Sequence, residues 1–203
     1  MNAPAVPSSP TPDPIALFLA DRERARAAGE GWDATAAALA TVKAGGFPSV
    51  RFVLVKEVAA DGFRFYTNRH SQKAVELEGV PHAALAFLWV KVDVQFRVEG
   101  AVRRLDDADS DAYFASRPRI SQLGAWASHQ SEPLASREVL LGRLTELEKK
   151  YPEGTPVPRP PHWGGYLLTP ERIEHWQAAP FRLHERTLYE RDGAGWRGQL
   201  INP

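Results

Sequence analysis

Between Ala36 and Leu105, apolar and polar positions alternate in short runs broken by turn residues: AALATVKA, SVRFVLVKEV, FRFYTN, AALAFLWV and VDVQFRVEGAVRRL. A period of two sends successive side chains to opposite faces, so these runs predict the strands of an antiparallel sheet or barrel. The pair Asp61-Gly62 lies between two such runs and predicts a hairpin, because both residues tolerate positive φ. Ser71 to Glu78 interrupts the strands and reads as a short helix. An earlier helix is predicted from Pro14, with Asp13 as its N-cap and Ile15, Leu17, Phe18 and Leu19 available to pack on the body.

From Asp106 to Tyr151 the pattern turns helical, with a break at Pro118 and a final segment that aligns Leu140, Leu141, Leu144 and Leu147 along one side. These helices are expected to cover the sheet. A Pro-rich connector, PEGTPVPRPPHWGG, leads to four runs, YLLT, RIEHWQ, RLHERTLYER and GWRGQLI, expected as strands that return to the first sheet. The pattern predicts an α+β, mainly β, fold in one domain over residues 14–203. Residues 1–13 hold four prolines among small polar residues and read as a mobile tail, too poor in apolar surface to offset the entropy of ordering.

Charge narrows the functions open to such a domain. Lys plus Arg and Asp plus Glu number 25 each, so no global field draws the 203-residue chain to nucleic acid or an anionic membrane. Any anion must be held by a local cluster. There is no apolar run of about 18 residues and no basic-then-apolar start, which predicts a cytoplasmic protein. Without cysteine there is neither disulfide nor thiolate chemistry, and redox work would need a bound cofactor. The six histidines show no metal-ligand spacing, so no metal site is expected. Glycine-rich dinucleotide loops, P-loops and nucleophile elbows are absent as well.

Several local groups invite explanation. On a strand, Arg182, His184 and Arg186 would share a face, giving a cationic row that is either an anion site or a solvated surface beside Glu185 and Glu190. Arg51 and Lys56 flank an apolar strand core, and their odd spacing assigns them to opposite faces. Tyr113 and Arg117 lie one helical turn apart, with Ser121 after the Pro118 restart; together they suit a phosphate clamp, or equally a helix surface and a cap. Gln95 falls on the polar face with Asp93 and Arg97, while Trp176 reads as core.

From about Asp13 to Pro203 the chain resembles the pyridoxine/pyridoxamine 5′-phosphate oxidase family. The motifs RFVLVK, FYTNRHSQKA, QFRVEG, YFASRPRISQLGAWAS with HQS, PPHWGGY, RIEHWQ and RLHERTLY follow one another in the family's order. The resemblance implies an FMN-binding split β-barrel with flanking helices, homodimeric, with FMN in a cleft formed by both subunits. It implies that Arg51, Lys73, Gln130 and Ser131 meet the FMN phosphate and ribityl chain, alongside Val53, Leu54, Tyr66 and Thr67. Gln95, Trp176 and Arg186 would complete the flavin site.

By the same resemblance, Lys56, Tyr113, Arg117 and Ser121 would hold a substrate phosphate, with Arg182 and His184 as the catalytic pair over the pyridine ring. The implied reaction is oxidation of pyridoxamine or pyridoxine 5′-phosphate at C4′ to pyridoxal 5′-phosphate, with O₂ reduced to H₂O₂. A phenazine-type flavin oxidase and a non-catalytic flavin or pyridoxal-phosphate-binding module are the alternative readings. Three departures stand out. Gln72-Lys73 and Val94-Gln95 each replace an arginine usual in the family, and the basic, Tyr-containing N-terminal stretch of some members gives way to the Pro-rich tail.

Overall fold

A computed structural model describes residues 12–30 and 33–203; the predicted tail up to residue 11 lies outside the described residues. Helix α1 (Pro14–Ala27) begins as the sequence predicts, with the Asp13 carboxylate accepting from the Ile15 amide at 2.9 Å and Pro14 at the first helical position. Strands β1 (Ala36–Val42), β2 (Pro48–Ala59) and β3 (Gly62–Asn68) precede helix α2 (Gln72–Gly79). Then come β4 (His82–Trp89), β5 (Val94–Arg104) and helices α3 (Asp107–Ser116), α4 (Arg119–Ala127) and α5 (Arg137–Lys150). Strands β6 (Trp163–Gln177), β7 (Glu185–Asp192) and β8 (Gly195–Leu200) complete the chain.

The sheet runs β3-β2-β1-β4-β5-β6-β7-β8, and an additional β3–β6 pairing closes its first six strands into an antiparallel barrel. Strand β6 does two jobs. Its first part, Trp163 to Leu168, closes the barrel on β3, while Arg172 to Gln177 carries β7. YLLT and RIEHWQ are therefore one strand, not two, because the shift in register opposite Glu99 and Gly100 lets β6 continue through Pro170. The expected four returning strands are three.

Alternation along β5 buries Val94, Phe96 and Val98 completely. Phe18 of α1 plugs the barrel, its ring centroid 4.8–5.2 Å from those of Phe63, Phe87, Trp89 and Phe96. A second, smaller core forms outside the barrel from Phe114, Leu123, Val157 and Trp163. Helix α5 does not cover the sheet. It packs on α4 with no fully buried residue, and Leu141 is 49% exposed, so its leucine stripe is only partly used.

The Asp61-Gly62 hairpin forms, with its turn one residue earlier than predicted. Ala59 pairs with Gly62, which makes Ala60 and Asp61 the loop. Of the predicted pair only Gly62 has positive φ (141°), and a Cβ there would lie 2.1 Å from the Leu168 carbonyl oxygen. Glycine is required there by the close approach of β3 to β6 and by the positive φ.

Candidate active site

A cleft of about 640 Å³ opens between β2, β3 and the corner joining α3 to α4. Its walls include Val53, Leu54, Lys56, Tyr66, Thr67 and Lys73 of the predicted cofactor and substrate sets, and also Tyr113, Arg117, Ser121 and Gln130. A hollow of about 360 Å³ shares Tyr66, Thr67, Arg117, Ser121, Gln130 and Trp163 with it and extends to Ser128. Residues from six elements and two loops, dispersed along the chain, thus converge on one concavity.

One end of the cleft is built around Lys73, which is 7% exposed on the first turn of α2. Its ammonium donates to Thr67 Oγ1 at 3.1 Å and Ser71 Oγ at 3.3 Å, and Thr67 in turn donates to Gln130 Oε1 at 2.9 Å. Burial, and then the nearby Arg51 charge, lower the Lys73 pKa to about 8 against the opposing pull of Glu76. Ser131 adopts positive φ (76°) and its hydroxyl accepts from the Gln72 amide at 3.1 Å, tying the Gln130 loop to the α2 N-terminus. A buried cation, hydroxyls and helix-terminal amides form a donor set suited to a phosphate.

Arg51 is held apart from this lining. Its Nη2 donates to Glu76 Oε2 at 2.8 Å and Ser49 Oγ at 2.7 Å, and its Nη1 donates to Thr41 Oγ1. Glu76, 5% exposed at the side chain, also accepts from Thr41 and, at 2.9 Å, from Gln72 Nε2. Burial alone would raise the Glu76 pKa, but these hydrogen bonds outweigh it and hold the carboxyl below its usual range. A register shift between Val55 and Glu57 makes Lys56 a bulge residue, so the odd-spacing argument for opposite faces does not apply. The two cations still part company: Arg51 turns to α2, while Lys56 Nζ lies 3.0 Å from Asp33 Oδ2.

At the other end Tyr66 and Tyr113 stack with centroids 3.8 Å apart. Arg117 caps α3 in an extended conformation, just beyond the helix that was expected to carry it, yet it still lines the cleft with Tyr113 and Ser121. Burial lowers its pKa, with Tyr113 opposing, and its Nη1 is enclosed without a hydrogen-bond partner among the described residues. A buried guanidinium nitrogen without an acceptor calls for an anionic one.

The remaining predicted residues form a second group. Gln95 pairs with Trp176, and Trp176 with Arg186, in a row across β5, β6 and β7 on the outer side of the barrel. Trp176 is half-buried rather than core, and its ring lies 4.7 Å from that of His184. Arg186 donates to Glu174 Oε1 at 2.8 Å and to the Asn202 carbonyl at 2.9 Å. Arg182, His184 and Arg186 do not share a strand face. Strand β7 starts only at Glu185, because Pro180 and the positive φ of Phe181 (59°) and Arg182 (65°) make a 3₁₀ turn there. Asp93 likewise leaves the strand, at φ 55°, and does not accompany Gln95.

Within one chain none of Gln95, Trp176, Arg182, His184 and Arg186 lines the cleft. Sequence reasoning also missed Trp163, Glu76 and Asp33. Trp163 sat in the recognised PPHWGGY motif without a role, whereas the two carboxylates gave no signal, since each meets its cation across 25 or 23 residues of sequence. Among the described residues no cluster of His, Cys, Asp and Glu could hold a metal ion, and no helix is long and apolar enough to cross a membrane.

Comparison with known proteins agrees with this fold. The family model described as pyridoxamine 5′-phosphate oxidase matches residues 24–151, and that of the pyridoxine 5′-phosphate oxidase C-terminal dimerisation region matches residues 163–203. A pyridoxine/pyridoxamine 5′-phosphate oxidase of Anaeromyxobacter dehalogenans is 55% identical over 98% of this chain and 99% of its own. One of Myxococcus xanthus is 52% identical over 95% and 92%. Among solved structures, PhzG from Burkholderia lata in complex with tetrahydrophenazine-1-carboxylic acid superposes with a TM-score of 0.89 at 32% identity, covering 96% of this chain and 95% of its own. A pyridoxamine 5′-phosphate oxidase-related, FMN binding protein from Nostoc punctiforme shares the fold, with a TM-score of 0.71 at 22% identity over 94% and 95%.

Barrel and matches together define an oxidoreductase of the split-barrel class. The chain belongs to the pyridoxine/pyridoxamine 5′-phosphate oxidase family.

Proposed function

We propose that this protein is a homodimeric, FMN-dependent oxidase that converts pyridoxamine or pyridoxine 5′-phosphate to pyridoxal 5′-phosphate, with O₂ as electron acceptor. The observation that carries the reading is a cleft with cationic donors at two ends, Lys73 at one and Arg117 with Lys56 at the other, a lining suited to two anions. Two phosphorylated aromatics need two such ends. Each charge-assisted bond to a phosphate contributes on the order of 1.5–3 kcal/mol net.

The donor chemistry of the Lys73 end fits FMN. Lys73, Gln130 and Ser131 would hold its phosphate and chain with Tyr66, Thr67, Val53 and Leu54, and Arg51 would add charge from behind α2. When bound, FMN supplies the two-electron acceptor that the side chains of this cysteine-free protein lack. The protein's own part is to bind and orient. Lys56, Tyr113, Arg117 and Ser121 would anchor the substrate phosphate. Arg182 and His184 would lie over the pyridine ring, and Gln95, Trp176 and Arg186 would face the flavin.

For those last five residues to reach the cleft, a second subunit must bring them. Val50, Phe52 and Leu54 are 69, 62 and 42% exposed on the outer side of β2, beside Ala40, Ala38 and Ala36 of β1. Across β4 the same outer surface continues through Leu88 to Gln95 and the Trp176–Arg186 row. Phe52 and Leu54 also edge the cleft, so an exposed apolar patch of the kind a second copy buries lies between the two residue groups. The match of residues 163–203 to a dimerisation region supports the same arrangement.

Protein reconstituted with FMN and supplied with pyridoxamine 5′-phosphate should form pyridoxal 5′-phosphate and peroxide in equal amounts. A phenazine-type activity finds support in the 32% identical PhzG relative, but the second anion-binding end argues for a phosphorylated substrate. Flavin-loaded protein that yields neither product would overturn the proposal.

A further inference from the structure

The Arg117 guanidinium carbon lies 4.7 Å from the centroid of the Trp163 ring and 5.6 Å from that of Phe114. Trp163 is 5% exposed at the start of β6, where it pairs with Asn68. A guanidinium so enclosed has exchanged water for aromatic faces, an arrangement that favours the cation through the ring quadrupole and fixes the plane of its N–H groups. Its Nη1 has no acceptor among the described residues.

The residues beside Trp163 serve the same end of the cleft. At Gly165 a Cβ would lie 2.5 Å from Leu105 Cδ1 and 2.7 Å from Tyr66 Cε1, so glycine makes room for the Tyr66 ring. Tyr66 in turn lies nearly parallel to both Tyr113 and Trp163, at 3.8 and 5.4 Å between centroids, and those two rings are themselves 6.2 Å apart. The Trp-Gly-Gly start of β6 thus sets both the guanidinium and the phenol stack of the clamp, which neither helix α3 nor helix α4 could do alone.

We infer that Trp163 is a positioning residue for the substrate's phosphate, acting by holding the Arg117 guanidinium with a free N–H directed to the anion. This rests on the oxidase reading above and adds a specificity determinant to it. Trp163 has no part in the electron or proton transfers of that reading, so with every variant loaded with FMN its loss should fall mainly on binding of the phosphate.

The test compares peroxide formation from pyridoxamine 5′-phosphate and from unphosphorylated pyridoxamine in the FMN-loaded wild type, Trp163→Phe and Trp163→Leu. In Trp163→Leu the KM for the phosphorylated substrate should rise about tenfold while kcat stays within about threefold. For pyridoxamine, kcat/KM should fall far less than for the phosphorylated substrate. Trp163→Phe, which keeps a smaller aromatic face, should recover most of the loss. Equal effects on both substrates, or no change in the KM for pyridoxamine 5′-phosphate, would overturn the inference while leaving the oxidase reading intact. If Trp163→Leu does not fold, Trp163→Phe decides: a rise of about threefold confined to the phosphorylated substrate is expected, and no rise refutes it. If the wild type oxidises neither compound the oxidase reading fails, and calorimetric titration with inorganic phosphate then tests Trp163 directly. Weaker phosphate binding in the variant supports the role, and equal binding refutes it.

Discussion

Arg51 and Glu76, 25 residues apart in sequence, meet at 2.8 Å and lock β2 to helix α2. Thr41 and Gln72 supply the other hydrogen bonds to the carboxylate, so the buried pair is fully satisfied. Removing one member strands the other. Glu76→Ala should destabilise the protein by about 3 kcal/mol in chemical denaturation. The pH dependence follows from the lowered carboxyl pKa. The contribution is complete above the ordinary value of 4.5 and disappears as pH falls through the lower folded value. Glu76→Gln should flatten that acid limb, and an unchanged limb would contradict it.

For Lys73 too stability rises with pH, but here because the charged form is the costly one. Because burial lowers its pKa from 10.5 to about 8, the unliganded protein carries the full cost of charging it below about pH 8 and gains stability between that value and 10.5. A phosphate bound beside it requires the ammonium. FMN affinity should therefore fall by up to about tenfold per unit as pH rises above 8, and Lys73→Met should bind weakly at every pH without that slope. Fluorescence titration of flavin across pH 7–10 checks both.

At Gly62 even a methyl group meets the Leu168 carbonyl oxygen at 2.1 Å, and a positive φ adds its own strain. Backbone cannot yield as a side-chain tip can. Gly62→Ala should loosen the β3–β6 closure and cost more than about 3 kcal/mol, read as a fall in the denaturation midpoint. A midpoint within error of wild type would mean that the barrel is not closed there.

Arg186→Ala should release flavin without unfolding the protein, because Glu174 keeps a second partner in Arg97 Nη1 at 3.0 Å. The check is the flavin absorbance that remains after gel filtration. Arg182→Ala and His184→Ala should instead keep the colour and lose turnover.

Much of this fold is legible in the sequence where local chemistry decides it. Asp13 before Pro14 marks the first helix, and the alternation along β5 names its buried face correctly. Legibility ends where tertiary contacts intervene. The bulge at Lys56 resets the strand parity, and the positive φ of Phe181 and Arg182 takes the cationic row off its strand; neither carries a glycine to announce it. The leucines of α5 repeat at helical spacing, yet no periodicity says that their partner is α4 rather than the sheet. For the site, the motif residues Tyr113, Arg117 and Ser121 do converge, whereas the roles of Glu76 and Trp163 depend on which strands the barrel brings together.

In the proposed dimer each of two composite sites takes Lys73 from one subunit and Arg186 from the other. Mixing inactive Lys73→Met and Arg186→Glu proteins and allowing subunits to exchange tests this directly. Half the dimers would be mixed, each with one intact site of two, so oxidase activity should return to about a quarter of wild type. A mixture no more active than its parents, with exchange confirmed by mass spectrometry, would contradict the account.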